Sequence, residues 1–376
     1  MSRLGKGPMT GVDRVEYAYL DHFLHLDMPF FGLVRTAAGF LLLDRAAMTA
    51  LRDGNIDLTR NDLIGRIAWR RDLARGRAEA ALRRLAMARC TKRGLARLLG
   101  RHLPPGASYF NTGHANLDHR SLSEIRSAGL KIAVVVHDTI PLDYPEFARP
   151  DSVEPFRRKM QIVAKFADLI IHTAHTTRLQ TEAQLDLMGR IPPGVTANLG
   201  VPVAQMIAIE KPAGRYFVTL GTIEPRKNHG FLLDLWAQMP DPPNLLILGG
   251  RGWSNESVIA RLDSLKPGAR VQERPGLNDG QIAFLLQGAQ GLLFPTYAEG
   301  FGIPALEAAA LGTPVITSNL PVFQELLGEF AVYLDVADSY SWIETIDRLR
   351  NADQTNRQAI VPPNWAEHFK IVLSTM

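Results

Sequence analysis

The sequence predicts an α/β protein with two doubly wound, Rossmann-like domains that face a central cleft. The chain has 376 residues, of which 46% are hydrophobic and 21% charged, as in soluble globular proteins large enough for two cores. Short apolar runs alternate with helical patterns in both halves, and prolines and glycines interrupt the alternation at 201–215. We therefore expect an amino-terminal domain over 1–205, a second domain over 206–355, and a last helix within 356–376 that packs back towards the first domain.

The second half shows the alternation most clearly. Its apolar runs end at glycine, proline or small polar residues and lie at 216–221, 244–250, 291–295, 313–318 and 331–335. Helical patterns begin near His229, Glu256, Asp279, Pro304 and Ser339. Strands that alternate with helices predict a parallel sheet covered on both faces.

The first half repeats this plan less regularly. Buried strands are predicted at 107–113, 131–138, 168–174 and 195–200, and a hairpin or strand pair at 31–44. Ligands of doubly wound sheets bind beyond the carboxyl ends of the strands. Candidate site residues are therefore expected in the loops that follow the strands.

The loop after 216–221 reads GTIEPRKNHG and places Arg226 and Lys227 at the start of a helix. The free N–H groups and the dipole of a helix start favour an anion. A guanidinium and an ammonium beside them suit a diphosphate. The alternative is a solvated basic pair on an exposed loop.

A second candidate is the loop PTYAEGFGI at 295–303, which leads into another predicted helix. Gly300 and Gly302 allow backbone amides to approach a ligand closely. Glu299 lies in the loop and Glu307 about one turn into the helix, so both carboxylates can accept hydrogen bonds from sugar hydroxyls in one cleft. The alternative is two unrelated surface glutamates.

A basic segment at 66–101 carries eleven arginines and one lysine against two acidic residues. Its apolar positions at helical spacing are Leu73, Leu82, Leu85, Leu95, Leu98 and Leu99. Basic amphipathic helices of this kind suit an anionic membrane surface. A solvated arginine-rich face is the alternative, and nucleic acid binding is less favoured because aromatic residues other than Trp69 are absent from the segment.

Several features limit the class of protein. The single cysteine, Cys90, excludes an intramolecular disulfide and is predicted to be a small side chain in a helix. The sequence has no apolar run of the ~20 residues that span a bilayer and no signal-type apolar core, so we expect a cytoplasmic protein, peripheral at most on the inner face of the plasma membrane. It also lacks an Asp-x-Asp motif, which predicts chemistry without a metal.

The segments TLGTIEPRKNHGFLLDLW and FPTYAEGFGIPALEAAALGTPVITSNLPVFQELLGEFAVYLDVAD resemble the retaining glycosyltransferases of family 4, which have the GT-B fold. The resemblance covers about 107–350 and includes two glutamates separated by seven residues. YFNTGHANLD, VVVHDTIPLDYPEF and FADLIIHTAHTT look like segments of the bacterial branch that builds polysaccharides from mannose, rhamnose or related sugars.

The resemblance implies roles for individual residues. Arg226 and Lys227 would hold the donor diphosphate, Glu299 the transferred sugar, and Glu307 the ribose. The backbone at Phe301, Gly302 and Ile303 would assist Glu299, and the backbone near Leu277 would meet the base. His114 matches the family's active-site histidine, with His137 a weaker candidate, and Thr10 and Gly11 match the loop that faces the diphosphate and the acceptor. Gly221 and Thr222 stand where relatives often have a Gly-Arg pair, so the arginine is replaced here.

The resemblance implies transfer of a hexose or deoxyhexose, with mannose favoured, from a nucleotide diphosphate sugar to a glycan or a lipid-linked oligosaccharide. The anomeric configuration would be retained, and neither cofactor nor metal would be required. A non-catalytic sugar-nucleotide-binding scaffold and a sugar-nucleotide epimerase of the same fold are the alternatives. Relatives begin with a complete strand before the segment SRL, whereas only Met1 precedes it here, so we expect that strand to be missing or the start to be assigned late.

Overall fold

A computed structural model describes residues 11–266, 268–353 and 357–376. The strands in these ranges are β1 (Gly32–Thr36), β2 (Gly39–Leu43), β3 (Ala88–Cys90), β4 (Ser108–Asn111), β5 (Lys131–Val136), β6 (Leu169–His172), β7 (Gly194–Thr196), β8 (Tyr216–Leu220), β9 (Asn244–Leu248), β10 (Val271–Glu273), β11 (Leu292–Phe294), β12 (Val315–Ser318) and β13 (Ala331–Leu334). The helices are α1 (Gly11–His25), α2 (Arg45–Arg52), α3 (Leu63–Ala68), α4 (Leu73–Leu85), α5 (Leu95–His102), α6 (His119–Ser127), α7 (Ile140–Asp143), α8 (Pro150–Phe166), α9 (His175–Asp186), α10 (His229–Gln238), α11 (Glu256–Asp263), α12 (Asp279–Gly288), α13 (Ile303–Ala310), α14 (Pro321–Leu327), α15 (Ser339–Arg350) and α16 (Trp365–Thr375).

The second half forms a six-stranded parallel sheet in the order β10-β9-β8-β11-β12-β13. The five predicted strands are confirmed and correspond to β8, β9, β11, β12 and β13. They could be predicted because strands that are buried on both faces of a sheet have continuous apolar sequences. Strand β10 was not predicted, since three residues give too short a pattern. The strand order reverses between β8 and β11, which places the loops after these strands at a topological switch point.

The first half contains a four-stranded parallel sheet in the order β4-β5-β6-β7, as the sequence predicts. The predicted hairpin at 31–44 is also confirmed, because β1 and β2 pair antiparallel. Strand β3 adds to β2 and makes this a three-stranded sheet. The expectation for Cys90 is wrong: the residue is half-buried in β3 and pairs with Phe40, because the ladder with β2 overrides the helical pattern around it.

The basic segment at 66–101 is mostly helical, as predicted, and comprises the end of α3, then α4 and α5. Leu82, Leu95, Leu98 and Leu99 are buried, so the apolar faces of α4 and α5 pack into the protein. Arg83 is also buried and pairs with Asp62, with Nε 2.6 Å from Oδ2. The outward-facing part of the segment is therefore smaller than its composition indicates.

Helices of the second half and the last helix both contact the first half of the chain. In α14, Glu325 accepts hydrogen bonds from the backbone N–H groups of His175 and Thr176 at 2.7 and 2.8 Å, and so caps α9. The last helix, α16, packs against α1, where the Tyr19 hydroxyl lies 2.8 Å from Nε2 of His368. The division into 1–205, 206–355 and 356–376 stays an interpretation of the sequence.

A cavity of about 1860 Å³ lies in the first half of the chain. It is lined by the edge strands β1 and β4, by α1 and by residues at the carboxyl end of α16. The side chains of Arg226, Lys227, Glu299 and Glu307 do not line it. The candidate site is therefore built elsewhere, at the carboxyl ends of the strands in the second sheet.

Candidate functional site

The loop after β8 brings two cations to the carboxyl edge of the sheet. Residues Pro225–Lys227 form a 3₁₀ turn, Asn228 adopts a left-handed conformation with φ of 55°, and α10 then begins at His229. Asparagine tolerates this conformation better than most residues. Arg226 and Lys227 consequently lie just before the start of a helix, as predicted.

Both cations contact one carboxylate on the neighbouring loop after β11. Nη1 of Arg226 lies 2.9 Å from Oε1 of Glu299, and the ammonium of Lys227 donates to the same oxygen. Nη2 of Arg226 also lies 2.9 Å from Oε1 of Glu224, and Nη1 donates to the carbonyl of Ala298 at 2.6 Å. The structure therefore brings together three predicted site residues.

Burial and charge act in opposite directions on these groups. Burial raises the pKa of Glu299, but Arg226 and Lys227 outweigh it and hold this pKa below its usual value. Burial is the largest effect on Lys227 and lowers its pKa, although Glu299 partly opposes it. Because Lys227 is 9% exposed, its charge depends on the carboxylate beside it.

The glycine turn between Glu299 and α13 has little space for side chains. Gly302 has φ of 88°, and a Cβ on it would lie 2.5 Å from Cε1 of Phe323. A Cβ on Gly300 would lie 2.5 Å from the carbonyl oxygen of His137, in the loop after β5 of the other sheet. Glycine at both positions lets the two loops meet beside the amino end of α13.

Asp138 is a site residue that the sequence analysis missed. A Cβ on Gly300 would lie 2.8 Å from Cβ of Asp138, and the charge of Arg226 acts on the Asp138 carboxyl. Burial raises the pKa of Asp138, while Arg226 and His137 oppose this effect. The available signal was its position directly after a buried strand, where a doubly wound sheet carries its ligand-binding groups.

His114 is half-buried in the loop after β4, beside His137. Its Nε2 lies 3.0 Å from the carbonyl oxygen of Val135, and its ring centre is 5.5 Å from that of His137. Burial, with a smaller contribution from His137, lowers the pKa of His114 to about 3. His137 is held by the carbonyl of Thr112 at 2.6 Å and is adjacent to Asp138. Of the two histidines, His137 is thus in the segment that meets the Glu299 loop.

Glu307 forms a separate ionic group about one turn into α13, as its spacing predicts. Its Oε1 lies 2.5 Å from Nη1 of Arg14, and Nη2 of Arg14 lies 2.5 Å from Oδ1 of Asp279. Burial raises the pKa of Glu307, and Arg14 opposes this effect. One arginine of α1 therefore joins α12 and α13 of the second half.

The other predicted residues surround these groups. A Cβ on Gly11 would lie 3.8 Å from Cδ1 of Ile303, so the start of α1 meets the start of α13. Phe301 is buried at 5% exposure, and Leu277 is half-buried just before α12. Gly221 has φ of 141° in the loop after β8, followed by the exposed Thr222. Thr10 lies outside the described residues.

The described ranges 11–266, 268–353 and 357–376 contain no group of three or more histidine, cysteine, aspartate or glutamate side chains placed to hold a metal ion. No helix in these ranges has the length and apolar character needed to cross a membrane.

Comparison with known proteins gives independent information about the same region. Residues 207–361, which contain the Arg226 and Glu299 loops, match the family model described as glycosyl transferases group 1. Over this range the chain is similar to glycosyl transferases group 1. The resemblance found in the sequence is thereby confirmed.

Curated proteins to which this chain is similar include two mannosyltransferases. The serotype-specific mannosyltransferase WbdA of Escherichia coli is 30% identical over 236 residues, which cover 56% of this chain and 29% of WbdA. The O-antigen chain mannosyltransferase RfbU of Salmonella typhimurium is 34% identical over 149 residues, 38% of this chain and 41% of RfbU. The chain thus spans less than half the length of these two relatives.

A solved structure has a fold similar to that of this chain. Anabaena Alr3699/HepE, crystallised with UDP, superposes with a TM-score of 0.56 at 15% identity and covers 76% of this chain and 82% of that protein. At this identity the likeness concerns the fold alone. The predicted GT-B fold, with two parallel-sheet halves, is confirmed.

Proposed function

We propose that the protein is a retaining glycosyltransferase that moves a hexose or deoxyhexose, with mannose favoured, from a nucleotide diphosphate sugar to a glycan or lipid-linked acceptor. The observation that carries the proposal is the convergence of Arg226, Lys227 and Glu299 beside the start of α10. Two cations and a helix start suit a diphosphate, and a carboxylate next to them suits sugar hydroxyls.

Donor binding would rearrange this ionic group. In the structure the Glu299 carboxylate pairs with both Arg226 and Lys227, and Arg226 also pairs with Glu224. A diphosphate that takes over the two cations releases Glu299 to accept hydrogen bonds from the sugar. The site would thereby exchange one set of charge-assisted hydrogen bonds for another without leaving a buried charge unpaired.

The chemistry follows from where charge develops. The bond between the anomeric carbon and the diphosphate oxygen breaks, and the acceptor oxygen forms a bond to that carbon on the same face. The acceptor proton passes to the departing phosphate oxygen. Arg226 and Lys227 stabilise the negative charge on the leaving diphosphate, and because they are already positioned, little reorganisation is needed. The proposal assigns no covalent role to Glu299; such a role is the minor alternative.

Mannose as the transferred sugar is supported by similarity, since WbdA and RfbU are described as mannosyltransferases. The proposed acceptor is the growing end of a cell-surface polysaccharide or its lipid-linked precursor. Glu307 would bind the nucleotide ribose, and the backbone near Leu277 would meet the base. We assign no metal or cofactor to the reaction.

A mass-spectrometric screen of UDP-, GDP- and deoxythymidine-diphosphate sugars tests the proposal, with donor hydrolysis and transfer to a glycan as readouts. Transfer from one donor, with its loss in a Glu299→Gln variant, is the expected result. Tight binding without hydrolysis or transfer would instead favour the non-catalytic scaffold. Isomerisation of the donor sugar without an acceptor would favour an epimerase.

We also propose that α3 and the loop after it attach the enzyme to an anionic membrane surface. Leu63, Ile64 and Ile67 are 71%, 41% and 59% exposed. The backbone of α3 is fixed against α4, since a Cβ on Gly65 would lie 2.7 Å from the carbonyl oxygen of Gly76. Exposed basic residues accompany the apolar ones, at Arg66, Arg70 and Arg71. Apolar side chains on a fixed helix, with arginines beside them, suit a lipid interface.

A further inference from the structure

Arg14 is the charged side chain that connects the first half of the chain to the carboxylate proposed to hold the ribose. It lies in the first turn of α1, and its two terminal nitrogens contact Glu307 and Asp279 at 2.5 Å each. These contacts join positions 293 and 265 residues apart in the sequence. A planar guanidinium can satisfy two carboxylates at once and hold both in fixed orientations.

We propose that Arg14 is a positioning residue that keeps the Glu307 carboxylate ionised and oriented towards the ribose hydroxyls of the donor. The proposal rests on the proposed function, because it assumes that Glu307 receives a ribose. An ionised carboxylate can accept about four hydrogen bonds, so the contact of Oε1 with Arg14 leaves capacity for two hydroxyl groups.

The burial of Glu307 makes this support necessary. The Glu307 side chain is 18% exposed and the Arg14 side chain 26%, so the pair is largely removed from water. An unpaired carboxylate in such a place would take up a proton more readily. Among the described residues, the charged groups that act on Glu307 are Arg14 and Asp279, and Asp279 is negative. Without Arg14, both the burial and the remaining charge would favour the protonated form.

The contact has a second consequence, because Arg14 and Gly11 lie on the same turn of α1. Gly11 meets Ile303 at the start of α13, and Arg14 meets Glu307 one turn further along α13. The amino ends of α1 and α13 are therefore held together at two points. A donor between them would be bound by both halves of the chain, so its affinity would depend on Arg14 although Arg14 itself does not touch the diphosphate.

The test compares ribose recognition and its pH dependence in the full-length protein and its Arg14→Met variant, in which an apolar side chain similar to the aliphatic part of arginine remains and the charge is lost. Affinities for UDP and GDP, and for their 2′,3′-dideoxy forms, are measured by calorimetry at pH 6 and pH 8.5. The wild type should prefer the ribose forms at both values. In the variant, the ratio of affinities for the ribose and dideoxyribose forms should fall about tenfold at pH 6, because a rise of one unit in the pKa of Glu307 lowers its ionised fraction up to tenfold. Part of the preference should return at pH 8.5, where Glu307 is ionised again.

Matched variants separate this role from general support of the structure. Arg14→Lys keeps the charge and should restore part of the preference at pH 6. Glu325→Gln weakens another contact between the two halves of the chain, at the start of α9, and should leave ribose preference and pH profile unchanged. Protonation of the diphosphate itself affects every variant equally and cancels in the comparison.

Three outcomes would overturn the inference. Tighter binding of UDP or GDP by Arg14→Met would show that Arg14 competes with the ribose. An unchanged preference and pH profile in that variant would reduce Arg14 to a structural contact. A profile altered equally by Glu325→Gln would assign the effect to the interface between the sheets. Two other results would contradict the ribose role of Glu307 in the proposed function. One is a wild-type protein that binds ribose and dideoxyribose forms equally well, and the other is a Glu307→Ala variant that keeps the wild-type preference for ribose.

Discussion

Nη1 of Arg226 lies 2.9 Å from Oε1 of Glu299, so the residue proposed to bind phosphate and the residue proposed to bind the sugar form an ion pair. Lys227 donates to the same carboxylate oxygen. Each of the three groups is largely buried, and each would be costly to leave without its partner. Substitutions in this group therefore have to be judged against both function and stability.

Replacing Glu299 by glutamine should abolish most of the transfer. The amide keeps the size and one acceptor but loses the charge that binds sugar hydroxyls strongly, and we expect turnover to fall by about 10²-fold or more. Binding of the free nucleotide should not weaken, because Arg226 and Lys227 remain and no longer pair with a carboxylate. Donor turnover and calorimetry with the free nucleotide check this. Wild-type turnover in the variant would remove Glu299 from the site.

Replacing Arg226 and Lys227 together by alanine should weaken diphosphate binding selectively. Hydrogen bonds to charged groups contribute about 1.5–3 kcal/mol each, so UDP and GDP should bind at least ~10²-fold more weakly, while uridine and guanosine bind as before. The change leaves Glu299 buried without a partner, and the free energy of unfolding should fall as well. Adding Glu299→Gln should restore part of the stability without restoring diphosphate affinity. Equal loss for nucleosides and nucleotides would contradict a phosphate role.

Replacing Asp138 by asparagine should strengthen diphosphate binding at pH 8. The Asp138 carboxylate acts on Arg226 from the other sheet, so its removal leaves more positive charge for the ligand. Burial raises the pKa of Asp138, and the wild-type residue therefore becomes protonated as the pH falls, which reduces its difference from the variant. Affinities for UDP and GDP between pH 6 and 8 check this.

Asp151→Asn provides the control for Asp138, since it makes the same charge change at an exposed position on α8. It should leave both affinities unaltered at every pH. Weaker diphosphate binding by Asp138→Asn would show that Asp138 supports the ligand rather than opposing it.

Local pattern predicts much of this fold but few of its contacts. The strands β8, β9 and β11 are buried on both faces, and their apolar runs stand out against the polar loops around them. Strands β3 and β10, with three residues each, are set by pairing with longer neighbours, so their sequences carry little signal.

The candidate site likewise has residues that the sequence predicts and contacts that it does not. Arg226, Lys227 and Glu299 could be predicted, because each follows a recognisable strand and the parallel topology brings such loops together. The pairing of Arg14 with Glu307 and the approach of Asp138 to Arg226 depend on how the first half of the chain meets the second. No local spacing encodes such a meeting.

Acid should destabilise the protein between about pH 6.5 and pH 4 through buried histidines. Burial lowers the pKa of His172 to about 4, and its ring nitrogens have no hydrogen-bond partner among the described residues. A histidine with a lowered pKa in the folded state binds its proton more readily when unfolded, so the free energy of unfolding falls as the pH decreases through this range. Each such histidine contributes about 1.4 kcal/mol per pH unit.

His172→Leu isolates this contribution. Urea unfolding of this variant at several pH values should show that the free energy of unfolding depends less steeply on pH between 6.5 and 4. The decrease in slope should correspond to the uptake of up to one proton fewer on unfolding, with little change above pH 7. The remaining slope should come from other buried histidines, since burial also lowers the pKa of His229 and of His368 to about 4. An unaltered slope in His172→Leu would mean that this residue takes up its proton without a cost to folding.

Attachment to anionic membranes should depend on both the apolar and the basic side chains of α3 and its following loop. Replacing Ile64 and Ile67 by serine removes the apolar anchor, and replacing Arg66, Arg70 and Arg71 by glutamine removes about 1 kcal/mol of attraction per residue.

Co-sedimentation with phosphatidylglycerol-containing vesicles should fall in both variants, and the wild type should lose binding as salt rises because exposed charges are screened. Leu187→Ser changes an apolar side chain that is 80% exposed on another part of the surface and should have no effect. Binding that is equal with neutral phosphatidylcholine vesicles, or equal loss in Leu187→Ser, would show that α3 is not the attachment site. In that case the arginines would be a solvated face of the protein.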